Sequence, residues 1–166
     1  NMAELINRLI ANRYRIKSFL GKGGMAEVYK VLDEARSVPL AMKILHADMA
    51  EDKVFLRRFR REAQTLETLQ HPNIVRFYGL EQADGLVFLL MEYVEGTTLR
   101  KEIFEADIPF SMERMLEVMQ PVTAALHYAH QSGFVHCDVK PANIMLHKTG
   151  NILVADFGIS RMSESA

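Results

Sequence analysis

Short apolar runs and helical stripes follow one another along the chain in an order that predicts a sheet with one helix, then a mostly helical part. Leu5, Ile6, Leu9 and Ile10 recur at helical spacing, so residues 3 to 11 predict a short helix leading into the domain. From Tyr14 to Leu45 the texture changes to β-like runs punctuated by Gly21, Gly23, Gly24 and Pro39, which predicts three antiparallel strands. Residues 51 to 69 return to a helical period, with Phe55, Phe59, Leu66 and Leu69 on one stripe and Arg57, Arg58, Arg60 and Arg61 off it. His71, Pro72 and Asn73 end that helix. Ile74 to Phe77 and Leu86 to Tyr93, separated by Ala83, Asp84 and Gly85, read as a hairpin that completes a five-stranded sheet. Ser111 is a good N-cap for a long helix reaching Gly133. Its expected buried stripe is Met112, Met115, Leu116, Met119, Val122 and Leu126, and Pro121 predicts a kink. Phe134 to Ala155 then predicts two short strands around a turn at Lys148 to Asn151.

Composition narrows the class. A chain of 166 residues with 49% hydrophobic content can bury about 70% of its unfolded surface, enough for one compact domain or two small lobes. The net charge of −1 lacks the basic excess of a domain that binds by neutralising nucleic-acid phosphates. The arginine cluster at 57 to 61 reads as a solvated helix face in preference to an RNA or acidic-partner patch. With one cysteine, Cys137, an internal disulfide is excluded, and the six histidines show no zinc spacing, so a reducing, cytoplasmic compartment fits. The longest apolar run, Leu86 to Met91, is far short of the ~20 residues of a membrane helix. A membrane anchor would have to lie downstream, outside this chain. Asn1 ahead of Met2 reads as a leftover of an expression tag.

Three constellations carry candidate chemistry. Gly21, Lys22, Gly23, Gly24, Met25 and Ala26 form a glycine-rich turn between β-like segments, which suits a flap over phosphates better than a dinucleotide fold, where a helix would follow. A Cβ there would hold the backbone amides away from phosphate oxygens. Glu62 lies about 20° from Phe55 around the helix, close to the centre of the apolar stripe. A buried acid needs a cation from a facing element, and Lys43, within the apolar run Leu40 to Leu45, is the natural candidate. Independent snorkelling of both side chains to solvent is the alternative. The stretch His136 to Asn143 holds Asp138, Lys140 and Asn143 in a tight loop, and Asp156 follows thirteen residues after Asn143 at a strand end. Asn143 and Asp156 supply the oxygen donors that a hard cation accepts when phosphates complete its shell.

The ordered set Gly21, Gly23 and Val28, Ala41-Met42-Lys43, Glu62, His136 to Asn143, and Asp156-Phe157-Gly158 resembles the protein-kinase signature. The Lys140-Pro141-Ala142-Asn143 form of the loop resembles Ser/Thr kinases. Gly23 to Tyr29 and Phe59 to Ala63 are similar to the bacterial Hanks-type branch. The resemblance covers residues 12 to 161 and implies an α+β fold: a kinase N-lobe at 12–93, with a five-stranded antiparallel sheet and one helix, after an extension at 1–11. A mainly helical, partial C-lobe at 94–166 stops just after Gly158. It implies Mg-ATP as cofactor, with Mn²⁺ as the alternative metal, and protein Ser/Thr hydroxyls as acceptors.

By the same resemblance, Lys43 holds the α- and β-phosphates and pairs with Glu62, while the amides of Gly21 to Ala26 cover the phosphates. Asn143 and Asp156 bind metal, Asp138 takes the hydroxyl proton, and Lys140 neutralises charge on the moving phosphoryl group. Met91 guards the back of the adenine pocket. Glu92, Tyr93 and Val94 form the hinge, and Val28, Ala41 and Met145 sandwich the ring. Leu66, Phe77, His136 and Phe157 match a stacked internal column. For these apolar positions plain core packing is equally compatible. Ala26 stands where a third glycine often falls, and Cys137 replaces the arginine that usually precedes the catalytic Asp, which argues against phospho-loop control through that arginine. Only Met162 to Ala166 follow Arg161, so the resemblance implies a fragment weak or inactive by itself, expected to dimerise or exchange segments to cover its long helix. A nucleotide-binding scaffold without turnover and a small-molecule phosphotransferase of related fold are the competing functions.

Overall fold

The computed structural model describes residues 2–134 and 138–156. They fall into two compact units, one formed from Asn1–Glu67 and Phe77–Tyr93, the other from Thr68–Arg76 and Val94–Ala166.

The first unit is built on a six-stranded antiparallel sheet in the order β1-β2-β3-β4-β6-β5. Its strands are β1 (Leu9–Ile10), β2 (Tyr14–Lys22), β3 (Ala26–Asp33), β4 (Val38–Leu45), β5 (Phe77–Ala83) and β6 (Leu86–Glu92). Five strands were expected, and the sixth, β1, comes from the extension. There helix α1 covers only Met2–Leu5, and Asn7 at φ 71°, followed by Ala11 at 55° and Asn12 at 54°, turns the chain back so that Ile10 pairs with Tyr14. Asparagine tolerates the left-handed region and ends helices there. Leu5 and Ile6 pack on a core of Ile10, Tyr14, Ile16, Tyr29, Val31, Leu40, Met42, Ile44, Phe88 and Leu90. Alternation along each strand places these residues on a common sheet face.

After β4 comes a short α2 (Ala47–Ala50), which was not expected, and the helical period expected over 51 to 69 forms α3 (Lys53–Leu66). Asp52 separates them as N-cap of α3, accepting from the amides of Val54 and Phe55, both at 3.0 Å. Phe55, Phe59, Ala63 and Leu66 form the buried stripe of α3, with the Phe55 and Phe59 rings stacked at 5.3 Å.

At one end of the sheet Asp33 is fully buried as an ion. Arg13 donates to both its carboxylate oxygens at 2.9 Å, and Arg36 and the amide of Ala35 add bonds of 3.0 Å. These donors hold the Asp33 carboxyl well below the usual carboxylate range, against the opposing effect of burial. Nearby, burial and the Glu81 carboxylate push the Tyr14 hydroxyl up to about 12.

The second unit carries a three-stranded sheet, β7-β8-β9, formed by β7 (Gly96–Thr98), β8 (Ile144–His147) and β9 (Ile152–Val154). Residues 68–76 are sewn onto its far edge: Val75 N–H donates to the Val154 carbonyl at 2.9 Å and Val154 N–H to that of Asn73 at 2.8 Å. The Asn73 side chain adds a bond of 2.9 Å to the Ile152 carbonyl. Gly96 is required where β7 crosses β8, because a Cβ there would run into the Leu146 carbonyl oxygen. Helix α4 (Leu99–Glu105) is capped by Thr98 and helix α5 (Met112–Gln131) by Ser111, whose hydroxyl accepts from the Arg114 amide at 3.0 Å.

The stripe expected to be buried on α5 is borne out at Val122 and corrected at Leu116 and the methionines. Val118, Val122, Ala125 and Ala129 are the buried residues, whereas Met112 is 74% and Leu116 53% exposed, and Met115 and Met119 also face outward. Small side chains let the helix backbone approach β9 closely, so the narrower stripe packs and the bulkier one beside it does not. No helix among the described residues is long and apolar enough to cross a membrane.

Candidate functional site

The glycine turn lies between β2 and β3, as the sequence predicts, with Gly21 opposite Val28 and Lys22 opposite Glu27. Gly23 N–H closes the turn on the Ala26 carbonyl at 2.9 Å. Neither Gly21 nor Gly24 has a heavy atom within 4 Å of where a Cβ would stand, so the glycines leave the turn open on its outer side.

Strand register gathers the next residues. Val28 lies opposite Lys43, Ala41 opposite Met91, and Lys43 opposite Leu89. Directly paired residues of antiparallel strands share a face, so Val28, Ala41, Lys43 and Met91 stand together on the face opposite to that of Tyr29, Met42 and Leu90. Lys43 and Glu62 are both half-buried within this unit. Glu92 and Tyr93 follow Met91 at the end of the unit, and Val94 begins the second unit. Lys30 is on the same face, opposite Ala41, with its Nζ 4.6 Å from the centre of the Tyr93 ring. It was not singled out from sequence, although a two-residue step from Val28 along the strand finds it. Leu66 and Phe77 are buried.

In the second unit a single turn of 3-10 helix, Pro141–Asn143, builds the loop. Proline at its first position needs no amide partner and presets φ. The Asn143 amide N–H donates to the Lys140 carbonyl at 2.9 Å, and the Asn143 side-chain Nδ2 donates to the Asp138 carbonyl at 2.9 Å. Lys140 Nζ stands 3.2 Å from Asp138 Oδ2. The Asn143 carbonyl in turn accepts from Ala155 N–H at 2.8 Å, which sets Asp156 beside the loop. Asp156 adopts φ 60°, a left-handed conformation that Asp tolerates better than most residues. Asp138, Lys140, Asn143 and Asp156 are thus brought together, and Met145 lies two residues on in β8, opposite Thr98. His136 and Cys137, together with Phe157, Gly158 and everything after them, lie outside the described residues.

The donor set fits a hard divalent cation. With Nδ2 committed to Asp138, the buried Asn143 has its Oδ1 as the remaining side-chain ligand atom, and Asp156 adds a carboxylate. Two protein oxygens with phosphate and water completing the shell is how Mg²⁺ is usually held. No group of three or more His, Cys, Asp or Glu side chains among the described residues forms a metal cage of its own. Two oxygen donors, from Asn143 and Asp156, suit a metal brought in with phosphates.

A sequence model of the protein kinase domain matches residues 14–166. The chain belongs to the protein kinase family. Its relatives are bacterial Ser/Thr kinases. It is 46% identical over 156 residues to the serine/threonine-protein kinase PrkC of Bacillus subtilis, covering 94% of this chain and 24% of that protein. It is 43% identical to PknB of Mycobacterium tuberculosis, covering 92% of this chain and 25% of that protein. Among solved structures, the Mycobacterium tuberculosis PknI kinase domain superposes with a TM-score of 0.80 at 33% identity, covering 96% of this chain and 68% of that one. The chain thus spans about a quarter of the length of these two relatives.

Proposed function

We propose that this protein kinase chain supplies the nucleotide and metal machinery for moving the γ-phosphoryl group of Mg-ATP to a Ser or Thr hydroxyl of a protein. The observation that supports this most directly is the loop in which Lys140 and Asn143 both grip Asp138. A carboxylate held in place this way can take the proton of an attacking hydroxyl as the oxygen bonds to phosphorus and the bond to ADP breaks. Lys140, with its Nζ beside that carboxylate, neutralises charge on the transferring group. Asn143 Oδ1 and Asp156 hold the metal, with Mn²⁺ able to replace Mg²⁺. A bound divalent cation supplies charge neutralisation on the phosphate oxygens.

On the first unit, Lys43 pairs with Glu62 and contacts the α- and β-phosphates, and the amides of the glycine turn cover them. Val28 and Ala41 lie against adenine, Met91 closes the back, and the backbone of Glu92 and Tyr93 holds the base. Cytoplasmic placement, with any anchor outside this chain, fits an ATP-consuming domain. Homodimerisation or segment exchange would cover the outward stripe of α5, and a strictly monomeric mass by light scattering at high concentration counts against it.

Calorimetry and thermal shift with Mg-ATP test the reading. At one hundred times the dissociation constant, binding stabilises the chain by about 2.7 kcal/mol. No shift removes the nucleotide role. An acceptor panel with the full-length kinase tests the rest, and phosphate found only on small molecules would favour a small-molecule phosphotransferase.

A further inference from the structure

The glycine turn is fastened from one side by the residue that follows β4. His46 N–H donates to the Met25 carbonyl at 2.9 Å, and its own carbonyl accepts from Met49 and Ala50 at 3.1 and 3.0 Å, so its backbone is fixed at both ends. From that fixed point the ring reaches back, placing Nε2 2.8 Å from the Gly23 carbonyl oxygen. A carbonyl oxygen only accepts. The nitrogen facing it therefore carries the proton, and His46 is held as the Nε2–H tautomer or as the imidazolium.

Peptide planarity carries the consequence one bond further. In a trans peptide the N–H points opposite to the C=O. With the Gly23 carbonyl fixed on His46, the Gly24 N–H is turned the other way, and it has no acceptor among the described residues. Glycine on both sides of this peptide offers little steric resistance to a flip. A flipped peptide would offer an anion its carbonyl oxygen in place of its N–H. The hydrogen bond from His46 opposes that flip.

We infer that His46 is a positioning residue, which holds the Gly23–Gly24 peptide with its N–H free for the phosphate chain of the nucleotide. This rests on the nucleotide reading proposed above. His46 acts through the peptide and need not touch the ligand. It was absent from the residues singled out by sequence because it follows the strand and belongs to no periodic pattern.

The experiment compares Mg-ATP with adenosine, which lacks phosphates, on the chain by calorimetry. His46→Ala is expected to weaken ATP about fivefold, the worth of one ordinary hydrogen bond, and to leave adenosine unchanged. His46→Gln, whose amide still donates, restores ATP affinity. Unchanged ATP affinity in His46→Ala, or an equal loss for both ligands, overturns the role of His46. Wild-type chain that binds neither ligand overturns the nucleotide reading itself. A ¹H–¹⁵N spectrum of the wild-type chain gives a check independent of any variant's folding: a proton on His46 Nε2 is expected, and a ring protonated on Nδ1 alone overturns the inference.

Discussion

Asp33 in the first unit and Asn143 in the second are the two buried polar residues among those described, and their hydrogen bonding is opposite in kind. Asp33 receives four hydrogen bonds, from two guanidinium groups and the Ala35 amide, so its carboxylate is fully occupied by the protein. Asn143 instead donates: its side-chain Nδ2 bonds the Asp138 carbonyl at 2.9 Å and approaches the Asp138 carboxylate at 3.4 Å. The contrast separates a charge that gathers donors from a strand and its turns from an amide that donates to shape a loop.

The contrast can be broken most sharply by removing the group that Asn143 grips. In the full-length kinase, Asp138→Asn is expected to lower turnover by ~10²–10⁴, while Mg-ATP affinity of the chain, measured by calorimetry, stays near wild type. An unchanged rate would remove the proton-accepting role. Gly96→Ala attacks the second unit's framework instead: the new Cβ meets the Leu146 backbone oxygen, and about 3 kcal/mol of stability should be lost in denaturant unfolding. A loss confined to a few tenths would mean that β7 and β8 separate easily.

For the first unit, Asp33→Asn should cost about 2 kcal/mol, the range for hydrogen bonds to charged groups. Arg13 and Arg36 are partly exposed and can rehydrate, which limits the loss. Because the folded Asp33 pKa lies below its unfolded value of about 3.9, its contribution is complete above that pH and fades as pH falls toward the folded pKa. The variant's stability should therefore fall less steeply than wild type below about pH 4, read by thermal melts across acid pH. Equal slopes would show that Asp33 is not held as an ion. The smallest effect expected is that of Ser111→Ala, about 1 kcal/mol for one lost helix cap, seen by the same melts.

Much of the first unit was legible because its strands are long and its turns carry explicit punctuation. Asp84 and Gly85 make the predicted hairpin turn with φ of 53° and 75°, and the glycines at 21 to 24 mark the β2–β3 turn. The single-residue caps were also legible: Ser111 does cap its helix. The short strands β1 and β7 were not, since they draw their stability from the neighbour they pair with and show no period of their own. Two apolar stripes lie side by side on α5, and periodicity cannot choose between them. Close approach to β9 favours the Val118 and Ala125 stripe over the methionines. Within the candidate site, Val28, Ala41, Lys43 and Met91 came from the family resemblance, and strand register sets them on one face. The grip of Asn143 on Asp138 depends on loop geometry that residue order does not express.

Residues 68–76 carry one more consequence. The chain passes between the two units after Glu67, after Arg76 and after Tyr93, so the polypeptide connection is threefold. A protease that severed the link between Tyr93 and Val94 would not free the two halves, because the excursion through Ile74 and Val75 would still be stitched along β9. Expressing residues 1–93 by themselves would strip that excursion of its partner and lay bare Ile74, which is otherwise buried. The nicked protein is thus expected to migrate as one particle in a native gel and as two bands once denatured.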